Sequence, residues 1–466
     1  MNATTKRLRL RLVTAAAVAT ALVGGAAAVP AAATAPGASA TTATADASTA
    51  ASADHRLTEA ELRREVARTL EDAGFIGITV EVRDGNRRIH ARAGEAELNT
   101  GRPMPYGANY RAASVTKSFV ATVVLQLVAE GRLSLSDPVE KWLPGVVSGN
   151  GNDGRRITVR NLLQHTSGVH NYDYSEDTGD SAEDFERTRF DHVSPEQVVA
   201  GAMRHRPDFP PAPADDPEPD WNYSNPGYVL AGMIIQKVTG RSWAQEVRDR
   251  IIRPLGLTGT YEPGDDPRLK APYAHTYQRF PGSDSWTDTT FRNVSWGGGA
   301  GGGGRAPPAG AAGVTPPGRG RRRAPPPVPP PPRARAGGGG GGRVSHTPPP
   351  RYRDGFAPGR RRARLLPPAQ LAEMRRTVPV AEDFQVAFPH LRYGLGLMRQ
   401  PLACGGYRWG HGGDLEGATV RTGFTEGGRR SVTISTSGKT ADDEQVLRAE
   451  GALQGLIDRV LCDGAR

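Results

Sequence analysis

Ala113-Ser114-Val115-Thr116-Lys117-Ser118-Phe119 sets a serine and a lysine three residues apart at the mouth of an apolar run. Phe119, Val120, Val123, Val124 and Leu127 recur at helical spacing until Gly131, so the run reads as a core-facing helix with Ser114 at its head. Positions i and i+3 share a helix face, which brings Lys117 beside the Ser114 hydroxyl. A serine hydroxyl is a poor nucleophile without a base to take its proton, and the positive end of a helix favours a developing oxyanion. The pattern alone is weak, because an N-cap serine followed by a solvated lysine looks the same. The rest of the chain has to decide.

At 466 residues the chain can bury a sizeable core. Lys6, Arg7, Arg9 and Arg11 precede an Ala- and Val-rich run from Leu12 to Val29, with small residues at Ala33-Thr34-Ala35. Residues 1–35 therefore read as a secretory signal peptide, with a single membrane anchor as the alternative. Residues 36–54 are Ala, Thr and Ser and read as a linker. Export implies an oxidising compartment. The two cysteines, Cys404 and Cys462, then read as a disulfide, against the alternative of two separate buried thiols.

The net charge of +10 invites a nucleic-acid reading, but its location argues against one. Residues 297–364 hold 14 arginines, no lysine and one acid, Asp354, a net +13 that leaves about −3 for the remainder. Nearly every residue there is Gly, Pro, Arg or Ala, too little apolar surface to fold. The segment could be a disordered basic insert for acidic polymers or a flexible loop. We read it as a local frameshift in a GC-rich gene, since codons of G and C encode these four residues and helical sequence resumes abruptly at Leu365-Leu366-Pro367. Resequencing checks this. An unbroken frame with peptides from this stretch recovered by mass spectrometry contradicts it.

Either side of the opening stretch the pattern changes. Thr58 and Glu61 form a capping box before a helix to about Ala73, and Ile76–Val82 with Arg88–Ala93 reads as a β-hairpin across Asp84-Gly85-Asn86. From Arg111 to Leu257 the signals are mainly helical: a short helix within Ser134–Pro144, Thr158 capping Val159–Leu163, Ser194-Pro195 opening another, and Gly227–Val238 ended by Gly240. His165, in Gln164-His165-Thr166-Ser167-Gly168, could be a base, but its neighbours suit a hydrogen-bonded turn and a structural role is preferred. Residues 170–192 read as loop. After Pro368–Arg376 strands take over: Tyr393–Leu397, Tyr407–Gly410, and a hairpin of Ala418–Thr425 with Ser431–Ser437. Thr440 and Asp443 cap a last helix to Cys462. The expected fold is α/β plus all-α. Residues 55–110 and 365–466 form an antiparallel sheet flanked by the N- and C-terminal helices, and residues 111–296 form a large helical insert.

Three elements now line up: Ser114/Lys117, Tyr223/Asn225 and His411-Gly412-Gly413. A phenol at Tyr223 can shuttle a proton if cationic neighbours lower its pKa. Asn225 can hold Lys117 and a substrate amide. Gly412 and Gly413 permit close approach of a strand, and the Asp414 N–H could complete an oxyanion hole with that of Ser114. His411 offers a donor near the tyrosine.

The order Ser-x-x-Lys, Tyr-Ser-Asn, His-Gly-Gly resembles the serine β-lactamase and penicillin-recognising DD-peptidase family in its class C-like branch. Leu162–Gly168, Ser295-Trp296 and Trp409–Gly413 extend the likeness, which covers roughly 60–296 and 365–462 and looks most like secreted D-alanyl-D-alanine carboxypeptidases. The resemblance implies a β-lactamase/transpeptidase-like fold with the site in a cleft, and an acyl-enzyme on Ser114. Lys117 and Tyr223 would act as base, and Tyr223 as acid with help from His411. Gly413, Asp414, Trp296 and Arg399 would bind substrate, Arg399 standing for the family's carboxylate-binding arginine. It also implies a bridge at the positions of Cys404 and Cys462. Expected partners are peptidoglycan stem peptides or β-lactams, with no nucleic acid, no cofactor, no metal, no membrane span after signal cleavage, and a monomer outside the cell in the cell-wall zone. β-Lactamases, esterases, D-aminopeptidases and a silent penicillin-binding protein share these motifs.

Overall fold

Reciprocal hydrogen bonds between Thr58 and Glu61 start helix α1, Glu59–Ala73, and Gly74 ends it in the left-handed region. A computed structural model describes residues 56–172, 175–294 and 365–463 of the chain. The signal segment, the linker, the Gly/Pro/Arg stretch and Trp296 lie outside these residues. After α1 come β1, Gly77–Asp84, and β2, Arg87–Gly94, paired as a hairpin.

The nucleophile stretch comes next. Ala113–Val115 is a single 3₁₀ turn that runs directly into α2, Thr116–Ala129. No side chain caps α2, a deficit of about 1 kcal/mol. Burial outweighs it. Val120, Val123, Val124, Leu125 and Leu127 are wholly inaccessible, and each buried side chain of this size contributes roughly 1.5–3 kcal/mol. The helix is apolar on nearly every side because it is surrounded. Helix α3, Asn225–Thr239, packs beside it and sends Tyr228 Oη to donate to Leu163 O at 2.7 Å. One continuous core links these helices to Leu395, Leu397, Trp409, Val420 and Phe424 of the sheet region, and the described residues from Leu57 onward form one compact unit.

The remaining strands of the main sheet are β3 (Val378–Pro379), β4 (Arg392–Tyr393), β5 (Met398–Pro401), β6 (Tyr407–Gly410), β7 (Gly412–Leu415), β8 (Ala418–Thr425) and β9 (Arg430–Ser437). The sheet runs β2-β1-β9-β8-β6-β5-β4-β3, and β7 also pairs with β8. Every pairing is antiparallel. Thus N- and C-terminal segments pair within one sheet, β1 against β9. Helix α4, Asp443–Cys462, packs with α1 over it, burying Leu453, Leu456, Ile457 and Val460 against Ile78, Val80 and Ile434. The expected sheet flanked by terminal helices, with a helical insert, is what forms. Cys404 and Cys462 are bonded, with Cα atoms 5.6 Å apart, tying the β5–β6 turn to the end of α4. Among the described residues no helix is long and apolar enough to cross a membrane.

Three local expectations fail. The run Tyr393–Leu397 is not one strand: Gly394 N–H donates to Leu397 O at 2.8 Å, making a turn between β4 and β5. Gly396 has φ 69°, and a Cβ there would meet Lys117 O and Ala121 Cβ at 2.8 Å. Ser118 Oγ donates to Gly396 O at 2.6 Å, so the turn is docked on the nucleophile helix. Residues 170–192 are not all loop, since Ser175–Thr178 and Ala182–Thr188 are helical. A capping box of Ser181 and Asp184 marks the start of the second of these. The last helix is capped by Asp442 rather than by Thr440 and Asp443.

Candidate active site

Ser114 sits half-buried in the 3₁₀ turn, one residue after Ala113, whose φ of 48° is a strained value for a residue with a Cβ. Lys117 Nζ lies 3.1 Å from Ser114 Oγ and donates to Asn225 Oδ1 at 2.7 Å. It also lies 4.7 Å from the centre of the Tyr223 ring. The Tyr223 phenol shares a hydrogen bond with Ser114. The structure therefore brings Ser114, Lys117, Tyr223 and Asn225 together.

Electrostatics differ from the sequence expectation at one point. Lys117 has no exposed surface, and burial pushes its amine well below the ordinary lysine value. Burial also raises the Tyr223 phenol above its ordinary value, despite the opposing hydrogen bond with Ser114. Arg421 pulls the phenol down, but burial outweighs it. Burial thus favours the uncharged forms of both groups, the unprotonated amine and the protonated phenol.

Strand β7 closes the other side. A Cβ at Gly413 would lie 2.5 Å from Ala112 O, 2.9 Å from Ala113 Cβ and 3.0 Å from Ser114 N, so only glycine lets the strand meet the serine turn. Thr422 N–H donates to His411 O. In an antiparallel ladder hydrogen-bonded and non-bonded pairs alternate, and Asp414 faces Thr419 three pairs on. The Asp414 N–H is thus turned off the ladder. Its carboxylate is engaged elsewhere: it accepts from Arg421 Nη1 at 3.0 Å, Thr419 Oγ1 at 2.8 Å and Lys439 Nζ at 3.2 Å. Burial alone would raise this carboxyl, but Arg421 and Lys439 hold it well below the usual range.

His411 is buried, and both of its ring nitrogens are engaged. It is 2% exposed. Tyr393 Oη lies 2.9 Å from Nε2, and Nδ1 lies 2.6 Å from Gly412 O. Burial, with Lys117 and Arg421 nearby, pushes its pKa down to about 3, so the ring is neutral. The consistent tautomer donates from Nδ1 to Gly412 O and accepts from Tyr393. The ring fixes the start of β7 and has no spare donor for the cleft.

Arg399 is not brought to the serine. Its strand neighbour Met398 packs against the cluster of Trp221, Leu391 and Tyr393 that also carries Tyr223. Alternation along a strand sends Arg399 to the opposite face, where its guanidinium lies 4.2 Å from the Tyr407 ring centre. We expect Arg399→Ala to change kcat/KM by less than about threefold, the scale of a surface substitution. A loss of a hundredfold would place it at the substrate.

Sequence reasoning missed one positioning residue, Asn171, and read a second, His165, as structural. Asn171 Oδ1 accepts from Asn225 N–H at 2.9 Å, in the segment read as loop. His165, read as structural, is wholly buried with φ 64°, accepts from Ser224 N–H at 3.1 Å through Nδ1, and packs its ring 4.3 Å from that of Tyr223. Burial holds it neutral. It thus braces the Tyr223–Asn225 segment from behind.

Residues 62–456 match the Beta-lactamase family model. Penicillin-binding protein 4* of Bacillus subtilis (strain 168) is 29% identical over 187 residues, 40% of this chain and 38% of that protein. Penicillin-binding protein 4 of Amycolatopsis lactamdurans is 33% identical over 165 residues, 35% of this chain and 39% of that protein. These matches span about two fifths of the curated relatives' own lengths. Among solved structures, a D-stereospecific amidohydrolase from Streptomyces sp. superposes with a TM-score of 0.64 at 36% identity, covering 84% of this chain and 98% of that one. The D-amino acid amidase from Ochrobactrum anthropi SV3 superposes with a TM-score of 0.59 at 22% identity, covering 85% and 99%, a likeness of fold.

Proposed function

The chain belongs to the Beta-lactamase family, as a serine hydrolase of the fold shared with penicillin-binding proteins, and we propose that it is an exported D-stereospecific hydrolase working through an acyl-Ser114 intermediate. The observation that carries this reading is the wholly buried Lys117 amine, its pKa pushed down by burial, 3.1 Å from Ser114 Oγ. The amine takes the hydroxyl proton as Ser114 attacks a carbonyl. The N–H groups of Ser114 and Asp414 receive the oxyanion. Tyr223, held protonated, gives its proton to the leaving amine and is reprotonated from Lys117. Water then attacks the ester by the reverse relay. His411 acts through Tyr393 and Gly412, keeping β7 in place. Residues 1–35 would direct export.

The likeness to a D-stereospecific amidohydrolase, with Arg399 turned away, favours D-aminoacyl amides and peptides over substrates that must present a terminal carboxylate. The similarity to penicillin-binding proteins favours a second reading, a D-alanyl-D-alanine carboxypeptidase. Paired substrates separate them. D-aminoacyl p-nitroanilides should be cleaved at least ~10²-fold faster than their L counterparts, the scale of a well-discriminating pocket. D-alanyl-D-alaninamide should be cleaved about as well as D-alanyl-D-alanine. Strict dependence on the free carboxylate would favour the second reading, and preference for L substrates would overturn both.

A further inference from the structure

Away from Ser114, three side chains from separate stretches converge on one point. His170 lies just past the Ser167-Gly168 turn, Glu176 in the short helix Ser175–Thr178, and His205 just past the helix Pro195–Met203. One ligating atom from each lies within 4.8 Å of the other two. Glu176 Oε2 is 3.2 Å from His205 Nε2, and Oε1 is 3.7 Å from His170 Nε2. The two imidazoles are stacked, with ring centres 4.2 Å apart and planes 19° apart. Bonds of 2.0–2.1 Å to zinc put the donor atoms of a tetrahedral site about 3.3 Å from one another. Reaching that geometry requires the two stacked rings to splay until both planes meet at the ion, a rearrangement open to partly exposed side chains.

The surroundings are built for such a site. His170 Nδ1 lies 2.8 Å from Asp208 Oδ1, which fixes the ring so that Nε2 carries the lone pair. Asp208 is itself held, its Oδ2 accepting from Asn222 Nδ2 at 2.6 Å. The backbone of His205 is fixed at both ends, by Ala202 O and by Asn152 Nδ2. The neighbouring cation, Arg204, is paired with Asp177 and so does not repel an ion. A shared divalent ion satisfies the two imidazoles and the carboxylate at once.

We propose that His170, Glu176 and His205 form a binding site for a zinc-class divalent metal ion. Two imidazoles and a carboxylate, with a fourth position left to water, suit zinc, cobalt or nickel rather than calcium or magnesium. The ion would tie three elements that also support the catalytic segment. Asp208 reaches Asn222, one residue before Tyr223, and Asn171, one residue after His170, holds Asn225 N–H. The site is structural, and its occupancy is independent of which substrate Ser114 attacks. Sequence reasoning expected no metal cluster, because the three residues show no ligand spacing and meet only through the fold.

The test is calorimetric titration of Zn²⁺ into untagged, chelator-treated full-length protein, repeated with Co²⁺ as an absorption probe of geometry. One ion per chain is expected, with visible Co²⁺ bands of a tetrahedral site and a thermal midpoint raised by zinc. His205→Ala and Glu176→Gln should abolish both signals. Asp208→Asn should weaken binding ~10–100-fold. His192→Ala removes a comparable His–Asp contact, to Asp265, and should leave affinity unchanged. β-Lactam labelling or circular dichroism establishes that each variant is folded. Absence of saturable binding to the parent protein overturns the proposal, as does binding that survives His205→Ala.

Discussion

Lys117→Met is expected to cut kcat/KM by roughly 10²–10⁴-fold, the usual contribution of a general base, and at the same time to raise the thermal midpoint. The two effects share one cause. In the unfolded chain the lysine is protonated at neutral pH. In the folded chain burial pushes its amine well below the ordinary value. The unfolded state therefore binds one proton more over that interval, and folding at neutral pH works against it. The sign follows: the lysine's penalty is largest below its folded pKa, and stability rises with pH from there up to the unfolded value. Methionine fills a similar volume and removes this slope. Asn225 loses its donor in the exchange, but it is only partly buried and can be hydrated. The same depression predicts that acylation by the parent enzyme rises with pH through the Lys117 pKa, while His411, with a pKa of about 3, is already neutral. Stopped-flow acylation against pH and calorimetric melting check these points. A variant that is both inactive and less stable would mean that Lys117 serves as a buried structural cation.

The second large effect is expected at Gly413. Gly413→Ala should lower kcat by at least ~10²-fold, the cost of moving a reacting group or an oxyanion donor by about 1 Å. The added methyl group meets backbone, Ala112 O at 2.5 Å and Ser114 N at 3.0 Å, which cannot swing aside. Either β7 retreats and takes the Asp414 N–H with it, or the strained turn at Ala113 shifts the nucleophile. Gly412 is the control. A Cβ there meets the Arg421 side chain, Nη1 at 3.1 Å and Cδ at 3.4 Å, so Gly412→Ala should cost less than about tenfold. Kinetics of the two variants beside their melting points separate a displaced site from a destabilised fold. Equal activities would remove the close approach from the account.

Much of this was legible because local chemistry and tertiary role coincide. The capping boxes at Thr58, Thr158 and Ser194 mark real helix starts, and the alternation in Ala418–Thr425 and Ser431–Ser437 marks real strands. Ser114, Lys117, Tyr223 and Asn225 were found from residue types whose chemistry needs one another, and the fold brings them within hydrogen-bonding reach. What stayed hidden depends on the third dimension. Gly394–Leu397 reads as strand until Ser118 docks a turn against it. Arg399 has the right residue type on the right strand, and only alternation past Met398 turns it to Tyr407. His411 looks like a donor in a motif, whereas packing gives both ring nitrogens to Tyr393 and Gly412. The direction of the Tyr223 shift depends on burial, which no spacing reveals.

The central claim is a covalent ester on Ser114. Its most direct test is mass spectrometry of full-length protein, acid-quenched within its first turnovers of a D-aminoacyl ester and, separately, after exposure to penicillin. The predicted result is one added acyl group per chain, on the tryptic peptide Ala112–Lys117, and none in Ser114→Ala. An unmodified Ser114 peptide under conditions of measurable turnover, or turnover that persists in Ser114→Ala, would contradict it.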